Sequence, residues 1–177
     1  MITEPAQRIV SLAASNTEIL FAVGAGGQIV GRDEYSDYPP EAQGVESIGS
    51  LYPHVNFEAV IALEPDLVLA AGITSPDDIT ALNDMGLTVF NVGVAVTLDD
   101  IYADIIAIGR LTGRHTVATE VVEDMKSRIA AVAAANANLR ERPSVYYEID
   151  GADPMKPWTA GTGSLIDLMI NMAGAKT

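Results

Sequence analysis

The stretch Asp66-Leu67-Val68-Leu69-Ala70-Ala71 decides the fold class of this chain. Its apolar side chains follow one another without alternation, which is typical of a strand that is covered on both faces. A short helical segment at residues 56–63 precedes it, and Pro65 separates the two because the residue before a proline disfavours the helical conformation. Strands of this kind lie in parallel sheets with helices on both sides, so the stretch predicts an α/β protein.

Strand and helix patterns alternate on either side of this central strand. Upstream, residues 8–12 predict a buried strand, residues 15–18 form a capping box that predicts the start of a helix, and residues 28–31 predict a second strand. Downstream, a helix with Ser75 as its N-cap leads into a predicted strand at residues 87–92. Repeated strand–helix units favour right-handed crossovers, so we predict a parallel-sheet, Rossmann-like lobe.

The pattern changes after residue 97. One helix is predicted at residues 98–111 and a long one from 116 to about 140, which at 1.5 Å per residue would span roughly 35–40 Å. A strand at 144–149, a loop at 150–159 and a helix at 163–174 follow. Because a lone strand and helix cannot bury a core of their own, we expect either that they dock on the first domain or that the chain is the front part of something longer.

Composition excludes several classes of partner. The formal net charge is −14, from 24 acidic and 10 basic residues, whereas nucleic acids and anionic membranes require a basic surface. No apolar run approaches the roughly 20 residues that span a bilayer, and residues 1–8 lack the apolar core of a signal peptide. The chain contains no cysteine, which excludes disulfides and thiolate metal sites.

Motifs for catalysis or phosphate binding are weak. The glycines at 24, 26 and 27 follow a helix instead of joining a strand to a helix, and no Walker or Gly-x-Ser-x-Gly motif occurs. The two histidines, His54 and His115, lie far apart in sequence. A small cytosolic α/β enzyme with its site at the carboxyl edge of the strands stays open as an alternative, but it would depend on His54 as base or metal ligand.

A binding surface is the remaining interpretation. The loop Tyr35-Ser36-Asp37-Tyr38-Pro39-Pro40 follows a predicted strand, and its prolines make it neither a helix interior nor a central strand. Loops after parallel strands meet at one edge of the sheet, which is where α/β proteins bind ligands. Tyrosine offers a large contact area with a polar tip. The alternative is that the Tyr35 and Tyr38 side chains are buried at the edge of the core and contact no ligand.

Four segments resemble a known family. Tyr35-Ser36-Asp37-Tyr38-Pro39-Pro40-Glu41-Ala42-Gln43, together with residues 8–24, 56–68 and 157–174, is similar to substrate-binding proteins of ABC importers for iron–siderophore, haem and vitamin B12. The resemblance covers essentially the whole chain, and the quoted loop is most similar to the vitamin B12-binding members.

The resemblance implies a fold of two α/β lobes joined by a rigid long helix, with the ligand between the lobes. Residues 1–113 would be the N-terminal ligand-binding lobe, 114–142 the linker helix and 143–177 the start of a truncated C-terminal lobe. It also implies an extracytoplasmic protein without catalytic activity or intrinsic cofactor, which carries cobalamin, haem or an Fe(III)-siderophore to permease subunits.

The resemblance and the loop positions together predict a set of ligand contacts. These residues are Ala14, Ser15, Asn16, Tyr35, Tyr38, Tyr52, Gly72, Trp158 and Thr159. Glu58 matches a carboxylate that docks on the permease. We predict no metal site built by the chain itself, and Tyr38 and His54 are the side chains that could reach a metal in the ligand.

Two expectations concern the chain as it stands. A ligand held between two lobes needs both walls, so we expect these 177 residues alone to bind weakly or not at all. An incomplete second lobe would expose an apolar face, which predicts a homodimer of the truncated chain.

Overall fold

The computed structural model describes residues 4–137, 139 and 141–177. Within these residues the strands are β1 (Ile9–Ser11), β2 (Ile29–Arg32), β3 (Leu67–Ala71), β4 (Val89–Val92), β5 (Glu148–Asp150) and β6 (Trp158–Thr159). The helices are α1 (Ala14–Ala22), α2 (Phe57–Ala62), α3 (Pro76–Asp84), α4 (Leu98–Leu111), α5 (His115–Asn136) and α6 (Leu165–Met172). No helix among the described residues is long and apolar enough to cross a bilayer.

The first four strands form one parallel sheet in the order β2-β1-β3-β4. All five residues of β3 are buried, as its unbroken apolar sequence predicts. Val68 and Ala70 point to one face, where they cluster with Val60 of α2 and Leu82 of α3. The predicted α/β fold with a parallel sheet is therefore confirmed.

The strand order places a switch point between β1 and β3. The connection from β1 to β2 runs one way along the sheet and that from β3 to β4 runs the other way. Since both crossovers are expected to be right-handed, α1 and α3 lie on opposite faces of the sheet. A crevice therefore opens at the carboxyl ends of these two central strands.

The helix starts follow their caps, with one exception. Asn56 accepts a hydrogen bond from the Ala59 amide at the start of α2, and Ser75 accepts one from the Asp78 amide at the start of α3. The prediction of a capping box at residues 15–18 is wrong, because α1 begins at Ala14, one residue before that segment. The cap position is held by Ala13, whose side chain offers no acceptor for the free amides.

The described residues separate into two compact units. Unit 1 contains residues 4–94 and 103–122, and unit 2 contains residues 95–102 and 123–177 without the undescribed positions. The predicted division at residues 113 and 142 stays a prediction, and in the described structure α4 and α5 each contribute residues to both units. The long helix predicted from 116 to about 140 is α5, whose described bounds are His115–Asn136.

The two strands of unit 2 are short and exposed. β5 and β6 form an antiparallel pair whose residues are all exposed. The strand expected at 144–149 starts only at Glu148, and β6 lies in a region expected to be loop. Ser144 makes a single bridge to Lys176 instead.

Candidate functional site

The candidate site is the carboxyl edge of the sheet in unit 1. Loops at 12–13, 33–39 and 72–75 follow β1, β2 and β3 directly. A further loop, 49–55, reaches the same edge, because the segment before it runs parallel to β2 through a bridge between Arg32 and Ser47. We call these four loops the carboxyl edge.

Three tyrosines at the carboxyl edge project into solvent. Tyr35 is 72% exposed, Tyr38 63% and Tyr52 87%. The sequence left open whether Tyr35 and Tyr38 plug the core, and their exposure rules that out. Ile73, in the loop after β3, is exposed as well. The edge therefore offers aromatic and apolar contact area, which is the lining that small-molecule sites use.

A buried polar network holds the loop that carries Tyr35 and Tyr38. The Asp33 carboxylate is buried and accepts hydrogen bonds from the Ser36 hydroxyl and, at 3.1 Å, from the Tyr35 amide. Ser36 Oγ is in turn bonded to the Thr17 hydroxyl of α1 at 2.9 Å, and Thr17 to Ser11 of β1 at 2.8 Å. The tyrosine loop is thus tied to the ends of β1 and α1.

Sequence reasoning missed this network. One signal was present. An aspartate in a loop often accepts a hydrogen bond from the backbone amide two residues later, which forms an Asx turn. The partners Thr17 and Ser11 could not be found from sequence, since only the fold brings them together.

The ligand contacts predicted at the start of α1 differ in their exposure to solvent. Ser15 is exposed and Ala14 half-buried, so both can face a ligand. Asn16 is fully buried, and its amide donates to the carbonyls of Leu69 and Ala70 at 3.2 and 3.1 Å. It joins α1 to the end of β3 across the switch point, so its position is beneath the surface of the site.

Gly72 lies on the exposed loop directly after β3. A Cβ atom built on Gly72 would collide with the Val94 side chain. Glycine therefore lets the two chain segments approach each other at the carboxyl edge.

The loop at 49–55 carries Tyr52 and His54. Tyr52 precedes Pro53 in a cis peptide bond, as Tyr38 precedes Pro39. The His54 ring bonds to the Asp78 carboxylate of α3. Tyr52 and His54 are therefore placed on the same edge as Tyr38.

Glu58 is an exposed side chain in the first turn of α2, which also begins at the carboxyl edge. Trp158 and Thr159 form β6 in unit 2, where both are exposed. Their contact with a ligand stays a prediction from the resemblance.

Neither unit shows a constellation for metal binding by the chain alone. The described residues contain no group of three His, Cys, Asp or Glu side chains that could hold an ion. Among the residues that the structure describes, two carboxyl groups have lowered pKa values, and both lie in unit 2. The Thr97 hydroxyl and nearby amides hold the pKa of Asp100 below its ordinary value, and the Gly163 amide does the same for the pKa of Asp167.

Unit 2 contains a separate apolar groove of about 410 Å³. Its lining residues come from the start of α4, from α5 and from α6, and are Leu98, Met125, Arg128, Ile129, Val132, Met169, Met172 and Ala173. The groove holds no tyrosine, and all its residues belong to unit 2.

The comparison with protein families matches residues 9–177 to the family described as periplasmic binding protein. Among curated proteins, the chain is 37% identical over 180 residues to an uncharacterised ABC transporter substrate-binding lipoprotein of Bacillus subtilis, which covers 99% of this chain and 56% of the relative. It is 34% identical over 175 residues to a cobalamin-binding protein of Halobacterium salinarum, covering 97% of this chain and 46% of the relative.

A solved structure agrees with these relatives. The periplasmic haem-binding protein of Pseudomonas aeruginosa superposes with a TM-score of 0.86 at 25% identity, over 97% of this chain and 62% of that one. The chain spans about half the length of the curated relatives that it matches.

Proposed function

Since the chain belongs to the periplasmic binding protein family, we propose that it is part of the solute-binding component of an ABC importer for a metal chelate. The observation that carries the proposal is the set of exposed tyrosines at the carboxyl edge of unit 1. Relatives named for cobalamin and for haem favour a large planar ligand with a metal at its centre. The family match argues against the alternative of a small cytosolic enzyme.

The mechanism is capture without chemistry. Tyr35, Tyr38 and Tyr52 provide the apolar contact area. The start of α1 adds Ala14 and Ser15, and the loop after β3 adds Gly72. Burial of apolar ligand surface supplies most of the affinity. The network around Asp33 keeps the tyrosine loop in place before the ligand arrives, which lowers the entropy lost on binding.

Delivery requires docking on permease subunits, and Glu58 is the residue that we propose for it. An exposed carboxylate beside the ligand edge can pair with a cation of the partner. Replacing Glu58 with Arg should weaken binding to the cognate permease in a co-purification assay and leave chelate binding unchanged. Asp84→Arg is the matched control, because Asp84 is an exposed carboxylate at the C-terminal end of α3, away from the carboxyl edge. Equal losses in both variants would contradict a docking role for Glu58.

The location that goes with this function is extracytoplasmic. The relatives are named as a lipoprotein and as periplasmic proteins, which supports a place outside the cytoplasmic membrane. Fractionation of cells that express the complete gene product tests this, and recovery in the cytosol would contradict it.

Self-association through the apolar groove of unit 2 also stays a prediction. Light scattering at high concentration should show a dimer that Met169→Lys dissociates. A clean monomer in the unmodified chain would contradict it.

Visible absorption titrations test the function itself. Haemin, diaquacobinamide and ferrioxamine B cover a porphyrin, a corrinoid and a siderophore. We expect at least one of the three to bind this chain, with an affinity weaker than micromolar, because the chain spans about half the length of its curated relatives. Absence of binding by all three to the complete gene product would contradict the proposal, and micromolar or tighter binding to the 177-residue chain would contradict the expectation of weak binding.

A further inference from the structure

The charged side chains of unit 1 are divided between the two edges of its sheet. Residues 1–125 contain no lysine and only four arginines. Arg8 donates to two carbonyls in the turn before β3, at the amino edge where the strands begin. Arg110 and Arg114 flank the turn between α4 and α5, and the Ala6 amide, just before β1, donates to the Leu111 carbonyl there at 2.8 Å. Three of the four arginines therefore lie on segments at the amino edge, opposite the candidate site.

Arg32 is the fourth arginine and ends β2, where the loop that carries the tyrosines begins. Its Nε donates to the Ala42 carbonyl at 2.9 Å, and its Nη1 donates to the Asp33 carbonyl at 3.0 Å. Both carbonyls belong to the chain on either side of the tyrosines, so the guanidinium holds the loop backbone. The loops of the carboxyl edge themselves contain no lysine or arginine. The basic side chain nearest to the tyrosines therefore has a structural task.

Acidic side chains lie among the tyrosines of this edge. Glu34 and Asp37 are both exposed, Glu34 directly before Tyr35 and Asp37 directly before Tyr38. Exposed acids also occupy the first turns of α2 and α3, which begin at the same edge. In water, each pair of unit charges roughly 10 Å apart changes an affinity by about twofold, and like charges along one surface add their potentials. The carboxyl edge therefore presents a negative potential to a ligand.

The acidity of the whole chain does not account for this arrangement. A net charge of −14 favours solubility wherever the acids lie. The separation of the arginines from the tyrosines is a different property, because it depends on which segments the fold brings to each edge. A site for a ligand with carboxylates would use arginine or lysine beside the aromatic contacts, since these side chains pair with carboxylates. The edge lacks that pairing and offers carboxylates of its own.

The candidate chelates differ in the charge of their side groups. Haem carries two propionate carboxylates, whereas the side groups of a corrinoid such as cobinamide are uncharged amides, and ferrioxamine B carries a positive charge. Amide N–H groups donate to carboxylates and to tyrosine hydroxyls, so Glu34, Asp37 and the tyrosines are suitable acceptors for them. A carboxylate of the ligand only accepts, and it would lie beside charges of its own sign.

We propose that the carboxyl edge selects chelates by the charge of their side groups, with Glu34 and Asp37 as the specificity-determining residues. Chelates with uncharged or cationic side groups, such as the amides of a corrinoid, bind there, and chelates with free carboxylates are disfavoured. The tyrosines contact the ring in either case, so the acids decide between ligands of similar shape. This inference rests on the proposed function and narrows its ligand class.

Two corrinoids with the same ring and metal test the inference on the 177-residue chain. Dicyanocobinamide carries amides and is uncharged, whereas dicyanocobyrinic acid carries carboxylates in their place. Cyanide fills both axial positions of each, so the protein supplies no ligand to the metal. Equilibrium dialysis, read by corrin absorption, should show at least about 10-fold tighter binding of the amide form at 0.01 M salt. The ratio should shrink at 1 M salt, because the Debye length falls from about 30 Å to about 3 Å.

Charge reversal identifies the residues that select. At 0.1 M salt, where only charges within about 10 Å act strongly, Glu34→Lys and Asp37→Lys should each bind dicyanocobyrinic acid at least about 3-fold more tightly. Binding of dicyanocobinamide should stay within about 2-fold, whereas a merely structural change in the loop would weaken both corrinoids alike. Asp84→Lys is the matched control, since it changes the net charge equally at the C-terminal end of α3, and it should leave the ratio unchanged.

The outcomes separate this inference from the proposed function. Equal affinities for the two corrinoids at low salt, or tighter binding of the carboxylate form, would overturn charge selection and leave chelate import intact. Equal ratios in Glu34→Lys, Asp37→Lys and Asp84→Lys would overturn the roles of the two acids. Binding of the amide form by the complete gene product but not by this chain would overturn recognition at this edge. Absence of binding of every chelate by the complete gene product would overturn the proposed function as well.

Discussion

The central strand of unit 1 and the strands of unit 2 differ completely in burial. Every residue of β3 is buried between helices on two faces, whereas every residue of β5 and β6 is exposed. Unit 1 therefore contains a core that is complete in itself and that positions the loops of its carboxyl edge. The strands of unit 2 have no such core around them. The candidate site therefore belongs to the part of the chain whose loops rest on a buried sheet.

Truncating one strand residue in each unit gives the largest expected difference. Leu69→Ala removes a fully buried side chain of β3 and should lower the free energy of unfolding by about 2–5 kcal/mol. Ile149→Ala in the exposed strand β5 should change it by no more than about 0.5 kcal/mol. Urea unfolding followed by circular dichroism measures both. Similar losses in the two variants would contradict the contrast between the units.

A smaller effect is expected at the base of the tyrosine loop. Ser36→Ala removes a hydroxyl that donates to the buried Asp33 carboxylate, and an unsatisfied buried acceptor costs about 1–3 kcal/mol. Hydrogen exchange at the amides of residues 35–37 should accelerate as the loop loosens. Ser127→Ala on the exposed surface of α5 is the control and should change neither quantity. Unchanged exchange in Ser36→Ala would mean that the network does not hold the loop.

The smallest effect concerns the start of α4 in unit 2. Hydrogen bonds from the Thr97 hydroxyl, the Thr97 amide and the Val96 amide lower the pKa of Asp100. A carboxyl group with a lowered folded-state pKa stabilises the fold above its unfolded-state pKa, and this contribution is lost as pH falls through the folded-state value.

Asp100→Asn should therefore be slightly less stable than the unmodified chain at neutral pH, and the difference should shrink in acid. Thermal unfolding at several pH values measures this, with Asp99→Asn as the neighbouring control. A difference that grows in acid would contradict the assignment.

The sequence predicted the parts of the fold that follow from local patterns. The apolar run at 66–71 identified the central strand, and Asn56 and Ser75 marked helix starts because their side chains can accept from free amides. The start of α1 was misplaced because backbone geometry, and not a side-chain acceptor, sets it at Ala13.

The site was predictable in outline only. Strand order places loops 12–13, 33–39 and 72–75 together, so the edge could be inferred from the alternation of strands and helices alone. The burial of Asn16 and the contact between His54 and Asp78 depend on how helices pack, which no local pattern specifies. The same holds for the exposure of Tyr35 and Tyr38.

The position of the bound ligand shows which of the two units receives it. Amide NMR spectra of the chain are recorded during titration with diaquacobinamide, so that even weak binding is located. We expect the perturbed amides to cluster at residues 35–38, 52–55 and 72–74 of the carboxyl edge. Perturbations confined to the groove of unit 2, around Met125, Ile129 and Met172, would contradict it.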